Sequence, residues 1–468
     1  MNWVGSKKLI PLLFVVCIAM AVFSACSNSV LDVGADERDC VALISQEKLL
    51  LSVGSSSSKA KSFSSIEAYP KTFKPNDKEY PYANIPRIVI ETEYRTKIKD
   101  RETEIPAKLQ IWGKKEAETE VLDLTIRGRG NTSWALPKKS YKIEFAKKQK
   151  VLGMPKDKDW ALIANYADKT LMKNYLMYRL SASLNSFYAP KCEFAELYLN
   201  GEYLGVYLIV ESIKIAKNRV NIPNNSDSYI VEADAKYRSN EQVFISKIIY
   251  DDSLGKAFRV HTPKNASLES LATIENFVLN FERFIKKIEW QKNNNIEQWL
   301  DVDEYIKHYW IQEFSKNPDA VFYTSVYFVW VKDDVIKMGP VWDFDLSMGG
   351  HPTIYTSDKW HIRRAYWNPY LFQDSVYFYQ NRKFWIEQKE SFLSVLNTAD
   401  SVKSVLQKAA ENNYKRWDIL ESTSCVYHNK AYQSYNEAVD DMKDWLQKRM
   451  LWIDEHIDDC FFEKCVFN

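Results

Sequence analysis

No C-x-x-C pair and no G-x-x-x-x-G-K-[ST] loop occurs in this chain of 468 residues, and His is scarce, with 6. Without those thiolates and imidazoles a zinc site is excluded, so any metal would be held by oxygen. The missing Gly-Lys loop excludes a Walker nucleotide site. Net charge is absent too: 63 Lys and Arg against 62 Asp and Glu leave +1. There is thus no global electrostatic case for nucleic acid or for an anionic membrane. No repeat of fixed period is present, and Gly is limited to 13. What is there is a globular composition, 46% hydrophobic and 27% charged, with 15 Trp and 28 Tyr. Most of those rings belong in a core or an interface, while an exposed row would suit sugar stacking.

Two acidic motifs carry the chemistry. Gly339-Pro340-Val341-Trp342-Asp343-Phe344-Asp345 sets two carboxylates one residue apart after an apolar run. On an extended segment they would point the same way. Converging carboxylates repel, and a hard divalent ion such as Mg²⁺ is their usual partner. Asn317-Pro318-Asp319 lies upstream, with Asp319 24 residues before Asp343. One acid to accept a proton and another to hold metal, a hairpin apart, is the layout of kinase phosphoryl transfer. A solvated turn acid and a helix cap are the plainer alternative.

The first residues bear on location. Lys7 and Lys8 precede an apolar run from Leu9 to Phe23, which ends in Phe23-Ser24-Ala25-Cys26. This pattern predicts a secretory signal over 1–26. A Cys after Ser-Ala resembles the bacterial lipobox, which implies lipid on Cys26 and an extracytoplasmic protein tethered to the cell envelope through a membrane anchor. An ordinary cleaved signal is the alternative. Residues 27–80, with Ser55-Ser56-Ser57-Ser58, read as a Ser-rich tether. Beyond Cys17 and Cys26, five cysteines remain: Cys40, Cys192, Cys425, Cys460 and Cys465. Their pairing is open.

Alternation predicts strands at Arg87–Glu91, Lys108–Trp112, Leu122–Arg127 and Ser140–Phe145. A helical pattern begins at Asp168, a candidate N-cap. Asn200-Gly201 between two apolar runs signals a hairpin. Helices are expected near Leu268–Lys287 and Val302–Phe314, and the last is an amphipathic run over Ala431–Ile457. Val321–Val331 and Val335–Val341 read as a hairpin with the acidic motifs at its ends. Strands first and helices later fit an α+β protein.

Several ordered motifs resemble one family. Ile126-Arg127-Gly128-Arg129-Gly130-Asn131-Thr132-Ser133-Trp134 with Pro137-Lys138-Lys139-Ser140-Tyr141-Lys142-Ile143 looks like the signature of the CotH (spore coat protein H) kinase-like family. Lys158–Tyr166, Asp168–Asn174, Glu196–Tyr207, Asn317-Pro318-Asp319 and Trp342–Asp345 follow in the family's order. The resemblance implies an atypical two-lobed protein-kinase-like fold over 81–468, with a strand-rich first lobe at about 81–235 and a helical second lobe at about 236–468. It implies ATP and Mg²⁺ or Mn²⁺ as cofactors, and an unknown protein substrate, which includes the chain itself. Asp319 matches the catalytic acid. Asp343 and Asp345 match metal ligands. Ser325 stands where many relatives carry an Asn ligand, and a hydroxyl binds metal more weakly than an amide carbonyl. Arg127, Lys139 and Lys142 are candidates for phosphate contact, against a surface role for the lysines. Glu211 would pair a Lys or lie near adenine. Three readings result: an active kinase, a pseudo-kinase that binds without turnover, and a surface-binding lipoprotein.

Overall fold

The computed structural model describes residues 67–250, 254–287, 295–424 and 427–459. The expectations for the signal, for Cys26 and for residues 27–66 of the tether lie outside the described residues. So do those for Cys40, Cys425, Cys460 and Cys465. Cys192 is a free, buried thiol. No described helix is long and apolar enough to cross a membrane.

The strands β1 (Arg87–Thr92), β2 (Ile105–Trp112), β3 (Leu122–Arg129), β4 (Ser140–Val151), β5 (Met154–Ile163), β6 (Cys192–Leu199) and β7 (Glu202–Glu211) form a closed barrel. Their order is β1-β2-β3-β4-β5-β7-β6, and a parallel β1–β6 pair closes the ring. Period-two patterning dictates which side chains fill it: Leu124 and Ile126 of β3, and Ile143 and Phe145 of β4, point inward among Ile88, Leu109, Trp160 and Tyr207. The β6–β7 turn is the expected Asn200-Gly201, both at positive φ (53° and 80°), as a tight primed turn requires. The segment from Glu67 to Tyr80, assigned by sequence to the tether, lies against the barrel. Phe73 and Tyr80 pack with Val89, Tyr198 and Tyr203, and Asp77 pairs with Arg87.

A second core surrounds a five-stranded sheet in the order β12-β11-β8-β10-β9. Its strands are β8 (Ser228–Ala233), β9 (Val243–Ser246), β10 (Lys256–Thr262), β11 (Val326–Val331) and β12 (Lys337–Met338). The helices, after the short α1 (Thr132–Ala135), are α2 (Lys173–Ser183), α3 (Leu268–Lys286), α4 (Val302–Ser315), α5 (Asn368–Leu371), α6 (Ser375–Arg416) and α7 (Tyr435–His456). Mixed strands and helices make the chain α+β. Three expectations need correction. The second body is not helical alone, since it holds this sheet. β8 falls inside 81–235 yet pairs with β10 and β11, so the break between the sheets lies within 212–227. The helix expected from Asp168 starts at Lys173. The Asp168 carboxylate still accepts the Lys173 N–H at 2.9 Å, across a turn that it also bonds at Thr170.

α6 joins the two cores. Phe392, Ala399 and Leu406 pack in the second core, while Asn413 near its end reaches β7. Asn413 Oδ1 accepts from Val206 N at 3.1 Å and from the buried Lys138 Nζ at 2.8 Å. Lys138 also donates to Val206 O and lies over the Tyr207 ring. Burial holds its amine well below the ordinary lysine range.

Candidate functional site

The end of α4 sets the first acid. Lys316 leaves the helix in the left-handed region, at φ 51°. Asn317 then caps a short 3₁₀ turn, Pro318–Ala320, by accepting the Asp319 N–H at 3.2 Å. The Asn317 amide nitrogen donates to Gln312 Oε1 and to the Asp343 carbonyl, both at 3.0 Å. One buried side chain thus bonds the backbone of both acidic motifs.

Asp343 has φ 65°, so residues 342–345 are not an extended strand and alternation does not govern where the two carboxylates point. Ser325, itself at φ 59°, donates its hydroxyl to Asp343 Oδ2 at 3.3 Å. Asp345 turns toward α2, where Asn174 Nδ2 donates to its Oδ1 and Asn174 Oδ1 accepts the Phe344 N–H at 2.8 Å. One helical turn on, Tyr178 stacks on Trp342 with centroids 5.5 Å apart. The expected β hairpin is shorter than the sequence suggests, because Asp319–Ser325 is spent on these turns.

The three carboxyls are all pushed above the ordinary aspartate range. Burial is the largest cause for each. The Asp343 charge adds to it at Asp319 and at Asp345. Each is nonetheless only half-buried by surface area, so the group is reachable. Lys173 favours the charged form of Asp345, and two further cations oppose the repulsion at the other acids. Arg129, at the end of β3, lies over the Trp342 ring at 4.9 Å and favours the charged form of Asp343. Lys236 favours the charged forms of Asp319 and Asp343. Behind them, Arg259 pairs with Glu232, with Asp234 at 3.2 Å and with Glu241 at 2.8 Å. Glu232 in turn accepts the Ser325 N–H at 3.2 Å, and Asp234 accepts the Thr324 hydroxyl at 3.1 Å.

The other candidates sit on the barrel. Arg127 and Lys142 are direct cross-strand partners, and Arg129 shares the outer face of β3 with Arg127. Arg127 donates to the Arg101 carbonyl at 2.5 Å and pairs with Glu104 at 3.6 Å. Lys142 pairs with Asp159 at 2.8 Å, and Asp159 is shared with Lys214. Lys139 folds back onto Trp134, with Nζ 2.6 Å from its carbonyl and 5.4 Å from the centre of its ring. Glu211 pairs with Arg219 at 2.6 Å rather than with a lysine, and Arg219 lies over the Trp160 ring. The glycines of this stretch have a steric reason. A Cβ on Gly128 would sit 2.5 Å from Trp134, and Gly130 has φ +98°.

Sequence reasoning missed Lys236, Arg129, Asn174 and the amide of Asn317. Arg129 was legible as the same-face neighbour of Arg127. Asn174 closes the Asp168–Asn174 motif but carried no role there, and nothing local marks Lys236. Among the described residues, no three His, Cys, Asp or Glu side chains can cage a metal ion by themselves. The donors do fit Mg²⁺ with a nucleotide, since that ion binds one or two carboxylates and completes its shell with water and phosphate oxygens. The crowded carboxyls are the fitting observation: their mutual repulsion is what a bound cation would relieve.

The CotH kinase protein family model matches residues 126–453. Inner spore coat protein H of Bacillus subtilis (strain 168) is 24% identical over 250 residues, which cover 52% of this chain and 62% of that protein. The alignment thus spans less than two thirds of the relative's own length. The family match runs from the Gly-rich end of β3 through both acidic motifs to α7, more than half of the chain, and the protein belongs to the CotH kinase family.

Proposed function

We propose that this chain is an extracytoplasmic, lipid-anchored CotH-type atypical kinase, on a two-lobed kinase-like fold, that transfers phosphate from ATP to a protein hydroxyl with Mg²⁺ or Mn²⁺. The observation that carries this is the Asp319–Asp343 pair: two reachable carboxyls, held together by Asn317 and faced by Lys236 and Arg129. ATP with its metal supplies the transferable phosphoryl group. Asp319 orients the acceptor hydroxyl and takes its proton as that oxygen bonds phosphorus and ADP departs. Asp343 holds the ion, with Asp345 and Ser325 beside it, and Asn317 and Asn174 fix where these groups point. Arg127, Lys142 and Lys139 are the barrel cations from which phosphate contacts are drawn. The acceptor is a separate protein or the chain's own Ser-rich segment.

Thermal unfolding with and without ATP plus Mg²⁺ or Mn²⁺ tests the site, because a ligand that binds the folded state raises the transition by mass action. Label transfer from γ-labelled ATP tests turnover. A second reading, a pseudo-kinase, is favoured by Ser325, whose hydroxyl lies against Asp343. Stabilisation by nucleotide with no transfer, in the natural chain and in Ser325→Asn alike, would select it. A third reading, a surface-binding lipoprotein, would draw on the exposed tyrosines among the described residues, such as Tyr94 and Tyr379.

A further inference from the structure

Lys236 follows β8 in a segment that no sequence motif marks. Its ammonium donates to Thr132 Oγ1 at 2.7 Å, on the first residue of α1, directly after the Gly-rich turn. It also lies 5.8 Å from the centre of the Tyr323 ring, which follows the Asp319 turn. The backbone is pinned on both sides: Asp234 Oδ1 accepts the Lys236 N–H at 2.9 Å, and Ala235 N donates to Tyr323 O at 2.8 Å. Asp234 is fixed in turn by Arg259. The side chain is half-buried, so a ligand can meet it.

We propose that Lys236 contacts the terminal phosphate of the nucleotide and holds it between Asp319 and Asp343. The proposal rests on the kinase reading of the site. In an in-line transfer the moving phosphoryl group lies between the acid that positions the acceptor and the acid that holds the metal. Lys236 is the cation whose charge acts on both acids, whereas Arg129 acts on Asp343. A lysine serves there as a point charge that can follow the phosphate as it moves. Thr132 keeps the ammonium at the mouth of the Gly-rich turn, on the barrel side of the acids.

Calorimetry with Mg²⁺ and either ADP or a non-hydrolysable triphosphate analogue tests this on the natural chain, Lys236→Met and Lys236→Arg. Loss of one charge-assisted contact predicts about a tenfold weaker triphosphate complex for Lys236→Met. Its ADP affinity should change by less than about threefold, and Lys236→Arg should retain most triphosphate affinity. Equal weakening toward both ligands, or none toward either, overturns the assignment while leaving the nucleotide site standing. If the natural chain binds neither ligand, the kinase reading falls and takes the assignment with it. Thr132→Val removes one hydrogen bond to the ammonium without removing its charge and should weaken the triphosphate complex selectively but less. Should Lys236→Met lose its cooperative unfolding transition, unchanged triphosphate affinity in Thr132→Val overturns the proposal instead.

Discussion

Asn317 Nδ2 donates to the carbonyl of Asp343 at 3.0 Å, so Asp343 is positioned by the residue two before Asp319. The same side chain accepts the Asp319 N–H. The separation of the two acids is therefore set by one buried amide rather than by the hairpin between them. Asn317→Leu should leave Gln312 and the Asp343 carbonyl without their donor and destabilise the fold by about 1–3 kcal/mol, measured by urea unfolding. Nucleotide stabilisation of the variant should fall as well.

Asp343→Asn and Asp319→Asn should fail differently. The first removes the charge that offsets metal dehydration, so metal-dependent nucleotide binding should vanish in calorimetry. The second should leave binding nearly intact and slow label transfer by roughly 10²–10⁴. Equal loss of rate and affinity in both variants would mean that the carboxyls hold the fold instead.

Beneath the Asp319 turn lies a buried ion pair, Arg449 to Glu313, at 2.6 Å with both side chains fully buried. Glu313 also accepts the N–H groups of His361 and Arg363, at 2.9 and 2.7 Å. Arg449→Met should strand that carboxylate and cost about 3–5 kcal/mol in chemical denaturation. Adding Glu313→Gln should recover part of the loss, because the amide can keep one acceptor without the charge. If the double variant is no better than the single, packing against Trp360 and Trp452 is what Arg449 supplies.

His308 on α4 is buried, and burial alone pushes its pKa from 6.5 down to about 3. The unfolded chain then takes up a proton that the folded chain refuses. Its contribution to stability is full above about pH 6.5 and is lost as pH falls toward 3. His308→Leu should flatten the acid limb of a stability–pH curve by up to about 1.4 kcal/mol per pH unit. An unchanged slope between pH 6 and 4 would show that the ring is protonated in the fold.

For location, lipid on Cys26 should carry the protein into the membrane fraction, and Cys26→Ala should abolish that attachment. A mature protein that starts elsewhere and bears no lipid would refute the anchor.

Alternation marked the strand at Ser140–Phe145, and Asn200-Gly201 marked a hairpin, because strand facing and turn geometry depend on neighbours one to three residues away. The order of the acidic motifs, and with it the family, was legible for the same reason. The distant groups that meet these motifs were not. Lys236 meets Thr132 across 104 positions, and Asn174 meets Phe344 across 170. Glu211 found Arg219 rather than a lysine because the chain after β7 folds back over Trp160. The break between the two sheets fell before β8 because β8 is satisfied by β10 and β11, strands that come later in the chain. Local pattern determines which way a side chain points from its own element. Only packing between distant elements decides which opposite charge it meets there, since that energy depends on separation in space and not along the chain.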